Sequence, residues 1–199
     1  MADRLQKIII QLLDNNQYGF IKGKTIQDCI SWCFEYIHQC HQSNREIIIL
    51  NLDFAKAFDT IEHCAIIQIM RQMGFPEKWL QWISMIFTSG FSSILLNAAP
   101  GKQFKCKRGV RQGDPLSLLL FVLAAELLQF VINDSMQQGL LTQPIPYFNN
   151  DLPMLQYADD TILLMQVDIN QVQHLKNILS LFLNQQGYKS TTINPLWFQ

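Results

Sequence analysis

The chain has 199 residues, 49% hydrophobic and 16% charged, with 15 Lys and Arg against 16 Asp and Glu for a net charge of -1. That is core material for one folded domain, and it excludes both intrinsic disorder and the bulk positive charge of a strongly basic nucleic-acid binder. Five cysteines, an odd number in a chain with no recognisable targeting signal, fit a reduced intracellular compartment, nucleus or cytoplasm, better than a disulfide framework.

Leu5, Ile8, Ile9 and Leu12 recur at helical spacing until Asp14-Asn15-Asn16 brings turn chemistry. After a loop punctuated by Gly19 and Gly23, Thr25 and Asp28 read as an N-terminal capping pair. They open a helix striped by Ile26, Cys29, Ile30, Cys33, Ile37 and Cys40. Three cysteines with His38 and His41 suggest zinc, but they fall on the apolar stripe without recurring ligand pairs, so packing is the better reading. Glu46 to Asp53 is a β-rich run whose continuous apolarity predicts a strand covered on both faces. Residues 59 to 73 return to helical period through Ile61, Ala65, Ile69 and Met73, with Asp59 as a cap and Gly74 as the stop. Pro76 belongs to the first turn of a further helix, to about Thr88. Phe91 to Asn97 and Gln103 to Val110 read as a hairpin around Pro100-Gly101.

Asp114 caps, and Pro115 begins, the most apolar helix of the chain, through Leu116 to Ile132. It holds Ser117, Glu126 and Gln129, and an acid near a bilayer centre costs about 2.5 to 3.5 kcal/mol, so this is a buried core helix and no membrane is implied. A loop with Pro144, Pro146 and Asn149-Asn150 leads to a hairpin of Leu152 to Tyr157 and Thr161 to Val167, with Asp159 and Asp160 at its tip. Gln171 to Leu183 form a last helix, and the tail has no clear period. The pattern is one α+β domain without repeats.

Asp159 and Asp160 are adjacent carboxylates between two apolar runs, and Asp53 ends the other strongly apolar strand. Side by side, such acids raise one another's pKa unless a cation compensates, and magnesium is suited to carboxylate oxygens. If the two strands share a sheet, Asp53 and Asp159 converge, as a two-metal phosphoryl-transfer site requires. Spacing alone leaves that reading level with buried structural acids.

The words around the acids are more specific. Asn51-Leu-Asp53-Phe-Ala-Lys-Ala-Phe58-Asp59, Arg108-Gly-Val-Arg111-Gln112-Gly113-Asp114-Pro115-Leu116-Ser117 and Tyr157-Ala158-Asp159-Asp160 stand in this order. They resemble the palm motifs of reverse transcriptases, above all those of LINE-type non-LTR retrotransposons. Gln17 to Lys24 followed by Asp28 is similar to a segment of that family's fingers, and the likeness runs over residues 4 to 190. It implies a right-hand polymerase palm, an antiparallel sheet packed on helices. Residues 1–45 and 90–112 would be fingers-like parts, and 46–89 with 113–190 the palm.

The resemblance further implies an RNA-directed DNA polymerase that uses two Mg2+ ions, with Mn2+ as a substitute, an RNA template, a DNA primer and a deoxynucleoside triphosphate. Asp53, Asp159 and Asp160 would be catalytic and metal-binding, with the carbonyl of Phe54 as a further ligand. Phe58 would be the gate that excludes a ribose 2′-hydroxyl. Arg111, Gln112, Gly113, Lys22 and Lys24 would line the nucleotide, and Tyr157, Lys105, Lys107 and Arg108 the primer and template. Leu118 stands where the family has proline. Gln186-Gly187-Tyr188-Lys189 matches the start of a downstream segment whose next lysine is missing, which leaves open whether Lys189 replaces it. On this resemblance, the thumb and endonuclease segments of the parent element are expected to be missing from this chain. The rival reading is a retroelement remnant that binds nucleic acid or assembles without catalysis. A nucleotide cyclase is disfavoured by Arg111-Gln112-Gly113 and by the Tyr-Ala-Asp-Asp tip.

Overall fold

The computed structural model describes residues 1–54, 56–145, 154–186 and 191–198, the stretches 183–186 and 191–198 as backbone only. Lys189, with Gly187 and Tyr188, and the expected strand start at Leu152 lie outside the described residues. In chain order the elements are α1 (Ala2–Ile9), α2 (Ile26–Gln42), β1 (Ile47–Phe54), α3 (Ala57–Thr60), α4 (His63–Gln72) and α5 (Glu77–Ser89). Four two-residue strands follow, β2 (Phe91–Ser92), β3 (Leu95–Leu96), β4 (Ala99–Pro100) and β5 (Phe104–Lys105). The chain continues through α6 (Pro115–Gln137), β6 (Met154–Tyr157), β7 (Asp160–Gln166), α7 (Ile169–Gln186) and β8 (Thr191–Phe198).

One antiparallel sheet, in the order β6-β7-β1-β8, organises the molecule. Successive residues of a strand face opposite sides, so the unbroken apolar run of β1 serves two layers. Ile48, Leu50 and Leu52, with Leu163 and Met165 of β7, enter the main core, while Ile47, Ile49 and Leu164 pack under Tyr36 and Cys40 of α2. The strand is thus covered on both faces, as its composition predicts. Each such Leu or Ile contributes about 1.5 to 3 kcal/mol relative to exposure.

The other layer is built on α6. Leu119 to Glu126 are all buried, as are Leu128 and Ile132, and the helix packs against α1, α4 and α7. It is long and apolar enough to cross a membrane, yet 61% of its most apolar stretch lies inside the fold, which makes it the central core helix. Asp114 caps it by accepting from Leu116 N at 2.8 Å, with Pro115 in the first turn. Thr25 and Asp28 form the reciprocal capping box at the start of α2.

Four expectations are corrected. The helix expected over 59–73 is broken into α3 and α4 at Ile61 and Glu62. Asp59 therefore lies within α3 and caps nothing, and Glu62 takes the N-cap place of α4 without a side-chain bond. The arm over 91–105 turns at Asn97 and Ala98, both with positive φ (51° and 62°), instead of at Pro100-Gly101. Two residues in that conformation make the turn that matches strand twist, and proline-glycine is only the stronger written signal. α7 begins earlier than expected because Asp168 caps it, accepting from Asn170 N at 2.7 Å. The tail pairs with β1 as β8, at the sheet edge, the one place where a strand tolerates Pro195.

Candidate active site

Along the β1–β7 pair, Ile49 faces Leu164, Asn51 faces Ile162 and Asp53 faces Asp160. Partners across an antiparallel pair point to the same side, so one face of the sheet passes from apolar to acidic along its length. Ile49 and Leu164 are sheltered by α2, whereas Asp53 and Asp160 are exposed. Asp159, half-buried, precedes Asp160 in the two-residue turn between β6 and β7, where Tyr157 pairs with Asp160. The three acids and Tyr157 thus meet at one end of the sheet.

Like charges opposed across strands repel. No cation pairs with them: among the described residues the ion pair found is Arg71 with Glu77, 3.5 Å apart. Burial, then Asp159 and Asp53, push the Asp160 carboxyl above its ordinary pKa. Three carboxylates are the donor set that magnesium and manganese take, and a divalent ion would offset their repulsion. The acids fit such an ion by donor type and shared location. Among the described residues no three His, Cys, Asp or Glu side chains are gathered to hold one, so the carboxylates stand near each other without a finished cage.

The remaining candidates surround this end unevenly. Phe54 closes β1 beside Asp53, with its ring tilted on Phe182 at 5.6 Å between centroids. Phe58, 9% exposed, stacks on Phe121 of α6 at 4.2 Å and meets Phe20 edge-on at 6.4 Å. The loop from Arg108 to Asp114 is strapped to the α3–α4 corner. Gly109 N donates to Ile61 O at 2.8 Å, Val110 N donates to Phe58 O at 2.7 Å, and the His63 ring meets Gly109 O at 2.7 Å. A Cβ on Gly109 would stand 2.8 Å from the carbonyl oxygen of Asp59, so this close approach requires glycine. Beyond the strap, Arg111, Gln112 and Gly113 are exposed, as are Lys105, Lys107 and Arg108. Lys22 is exposed, but Lys24 is turned inward, donating to Asn15 O and Gln17 O, both at 2.7 Å, with Tyr18 beneath its ammonium. Its burial lowers its pKa, against the opposing pull of Asp14 and Glu126.

Sequence reasoning took Gln17 and Gly19 only as part of a fingers-like segment and missed Gln156, although in the structure Gln17 bonds Gln156 and Gly19 lies against Ala158 of the acidic turn. The available signal is Gln156, an amide inside the apolar run Met154-Leu155-Gln156-Tyr157 and 2% exposed. It also missed Glu126, whose Oε1 accepts from Asp14 N at 2.8 Å and ties the 14–24 loop to α6.

A family model described as reverse transcriptase (RNA-dependent DNA polymerase) matches residues 1–193. The retrovirus-related Pol polyprotein from type-1 retrotransposable element R2 of Popillia japonica is 29% identical over 147 residues, 74% of this chain and 23% of that protein. The transposon TX1 149 kDa protein of Xenopus laevis is 25% identical over 177 residues, 88% of this chain and 13% of that one. The chain therefore spans less than a quarter of the length of either relative. Among solved structures, telomerase from Candida albicans, in complex with a TWJ fragment of telomeric RNA, superposes with a TM-score of 0.69. That match covers 97% of this chain and 34% of the other at 14% identity, a likeness of fold.

Proposed function

The chain belongs to the reverse transcriptase (RNA-dependent DNA polymerase) family, and from that premise we propose that its acidic sheet end carries out templated nucleotidyl transfer. A primer 3′-hydroxyl would attack the α-phosphate of a deoxynucleoside triphosphate on an RNA template, releasing pyrophosphate. The observation that carries this reading is the register that sets Asp53 opposite Asp160 with Asp159 beside them.

Asp53, Asp159 and Asp160 would hold two Mg2+ or Mn2+ ions, with the Phe54 carbonyl as a further oxygen. When bound, such ions supply activation of the attacking hydroxyl and neutralisation of the leaving oxygen. The protein's part is orientation. Phe58, braced between Phe121 and Phe20, would present a rigid edge where a ribose 2′-hydroxyl would need room. The exposed Arg111, Gln112 and Gly113 would lie against the incoming nucleotide, with Lys22 as an exposed cation. Lys24, engaged with two carbonyls, would serve by fixing the loop. Tyr157 would seat the primer end, and Lys105, Lys107 and Arg108 would meet phosphates. In this reading 1–45 and 90–112 serve as fingers and 46–89 with 113–190 as palm.

The test is primer extension on an RNA template at high protein and primer concentration, with the fold verified. Extension is expected only with magnesium or manganese, and Asp53→Asn or Asp159→Asn is expected to lower the rate by at least about a thousandfold. Template binding without extension would favour the noncatalytic remnant, and metal-independent extension would refute the role of the acids.

A further inference from the structure

The turn that carries Asp159 is strained and is held from the side. Ala158 takes φ 60°, a conformation that two-residue hairpin turns ordinarily give to glycine and that persists in other residues only where the surroundings enforce it. Here the surroundings are residues 16–19. Tyr18 N donates to Gln156 O at 2.8 Å and Gln156 N donates to Asn16 O at 3.0 Å, so this stretch bridges β6 in parallel as an extra sheet edge. Gln17 Oε1 accepts from Gly19 N at 2.9 Å, which orients the amide and leaves Nε2 to donate to Gln156 Oε1 at 3.3 Å. Gln156 Nε2 is thereby aimed at Ala125 O of α6, at 3.5 Å. Both amides are buried, at 1% and 2% exposure, and they cross-link loop, strand and central helix. Gly19 completes the contact, because a Cβ there would run into the backbone nitrogen of Ala158 and stand 2.9 Å from its Cα.

We propose that Gln17, Gly19 and Gln156 are positioning residues that seat the Ala158-Asp159 turn and so set where the Asp159 and Asp160 carboxylates stand relative to Asp53. Remote in sequence, the 16–19 segment becomes the support of the acidic turn. The catalytic consequence rests on the polymerase reading, while the clamp is a property of the turn itself. Loss of the amide pair frees Ala158 to relax toward ordinary φ, and the two acids move with it.

The experiment compares the intact chain with Gln17→Met, which keeps volume and removes both bonds, and Gly19→Ala, which wedges loop from turn. Amide hydrogen exchange from Gln156 to Thr161 is expected to quicken by about tenfold or more while β1 amides, which open with the whole fold, hold their rate. Mn2+ affinity, read by the paramagnetic signal of free ion, is expected to fall, and kcat to fall with the nucleotide KM within about twofold. Equal turn exchange in all three proteins overturns the proposal whether or not the chain extends primers. Unchanged kcat and Mn2+ affinity in an active protein whose turn has loosened overturns the positioning role. Faster exchange in a chain that neither binds Mn2+ nor extends primers upholds the clamp and fails the polymerase reading instead. If Gly19→Ala does not fold, Gln17→Met decides.

Discussion

Glu126 lies at 2% exposure on the central helix, and its burial raises its carboxyl to about 7, opposed by the hydrogen bond from Asp14 N and by the charge of Lys24, while the Asp14 carboxylate adds repulsion. Burial outweighs attraction on both sides, since it also lowers the pKa of Lys24. The folded state therefore keeps a proton that the unfolded chain releases from about 4.5, so the contribution of Glu126 to stability is fully present below about 4.5 and is lost as pH rises through about 7. A shift of that size corresponds to about 3 kcal/mol. Glu126→Gln retains the acceptor for Asp14 N and removes the charge. Urea midpoints at pH 5.5 and 8 are expected to diverge in the parent and converge in the variant, which should be the more stable protein at pH 8. A midpoint difference that survives the substitution would assign the dependence to other groups, such as Asp160, which shifts in the same direction. Phe58 raises a different question, because its ring is both core and proposed gate. Phe58→Ala is expected to cost about 3 kcal/mol of stability through the lost stack on Phe121 and to admit ribonucleotides in an active protein. Unchanged sugar discrimination would leave Phe58 as a packing residue alone.

At the scale of elements, Asp114 shows how a motif residue can be structural. It stands beside Gln112 and Gly113, yet its carboxylate accepts from Leu116 N at 2.8 Å and Ser117 N at 3.4 Å. Asp114→Ala is expected to lower stability by about 1 kcal/mol, and Asp114→Asn to restore it by capping as well. Full stability but lost extension in Asp114→Asn would show that the charge itself acts in catalysis. The caps at Thr25 and Asp114 were legible in advance, as were the double-faced β1 and the core role of α6, because each follows from local chemistry or from periodicity, whereas the lack of a cap at Asp59 and the cap at Asp168 were not. The convergence of Asp53 with Asp159 and Asp160 was legible only through the motifs, since spacing does not say which strands pair. The break at Ile61 and Glu62 was hidden for a related reason. It depends on the loop at Val110 bonding back to Phe58, a contact between segments fifty residues apart in which Gly109 supplies close approach. Gln17 and Gln156 are more remote still, and a buried amide announces that it has a partner without naming it.

For the whole molecule, a net charge of -1 supplies no general attraction to a polynucleotide, so any grip must come from where the charges are placed. Acids collect at the sheet end, and Lys102, Lys105, Lys107, Arg108 and Arg111 lie exposed within ten positions on the arm and the loop after it. Such a run is solvated at little cost in the free protein, and its contribution appears only when phosphates displace counterions. Each phosphate contact steepens the dependence of log Kobs on log salt by about 0.7 to 0.9. Lys105→Gln with Lys107→Gln is accordingly expected to weaken RNA–DNA binding at low salt and to flatten that slope by about 1.5, with affinities converging as salt rises. Arg71→Gln with Lys78→Gln, an equal loss of two exposed charges away from the arm, is the matched control and should leave the slope unaltered. If both variants flatten it equally, total charge governs binding and the arm has no special role. A loss confined to the arm would mean that a nearly neutral chain binds its template by local placement of charge, with the carboxylates kept apart from the cations that hold the backbone.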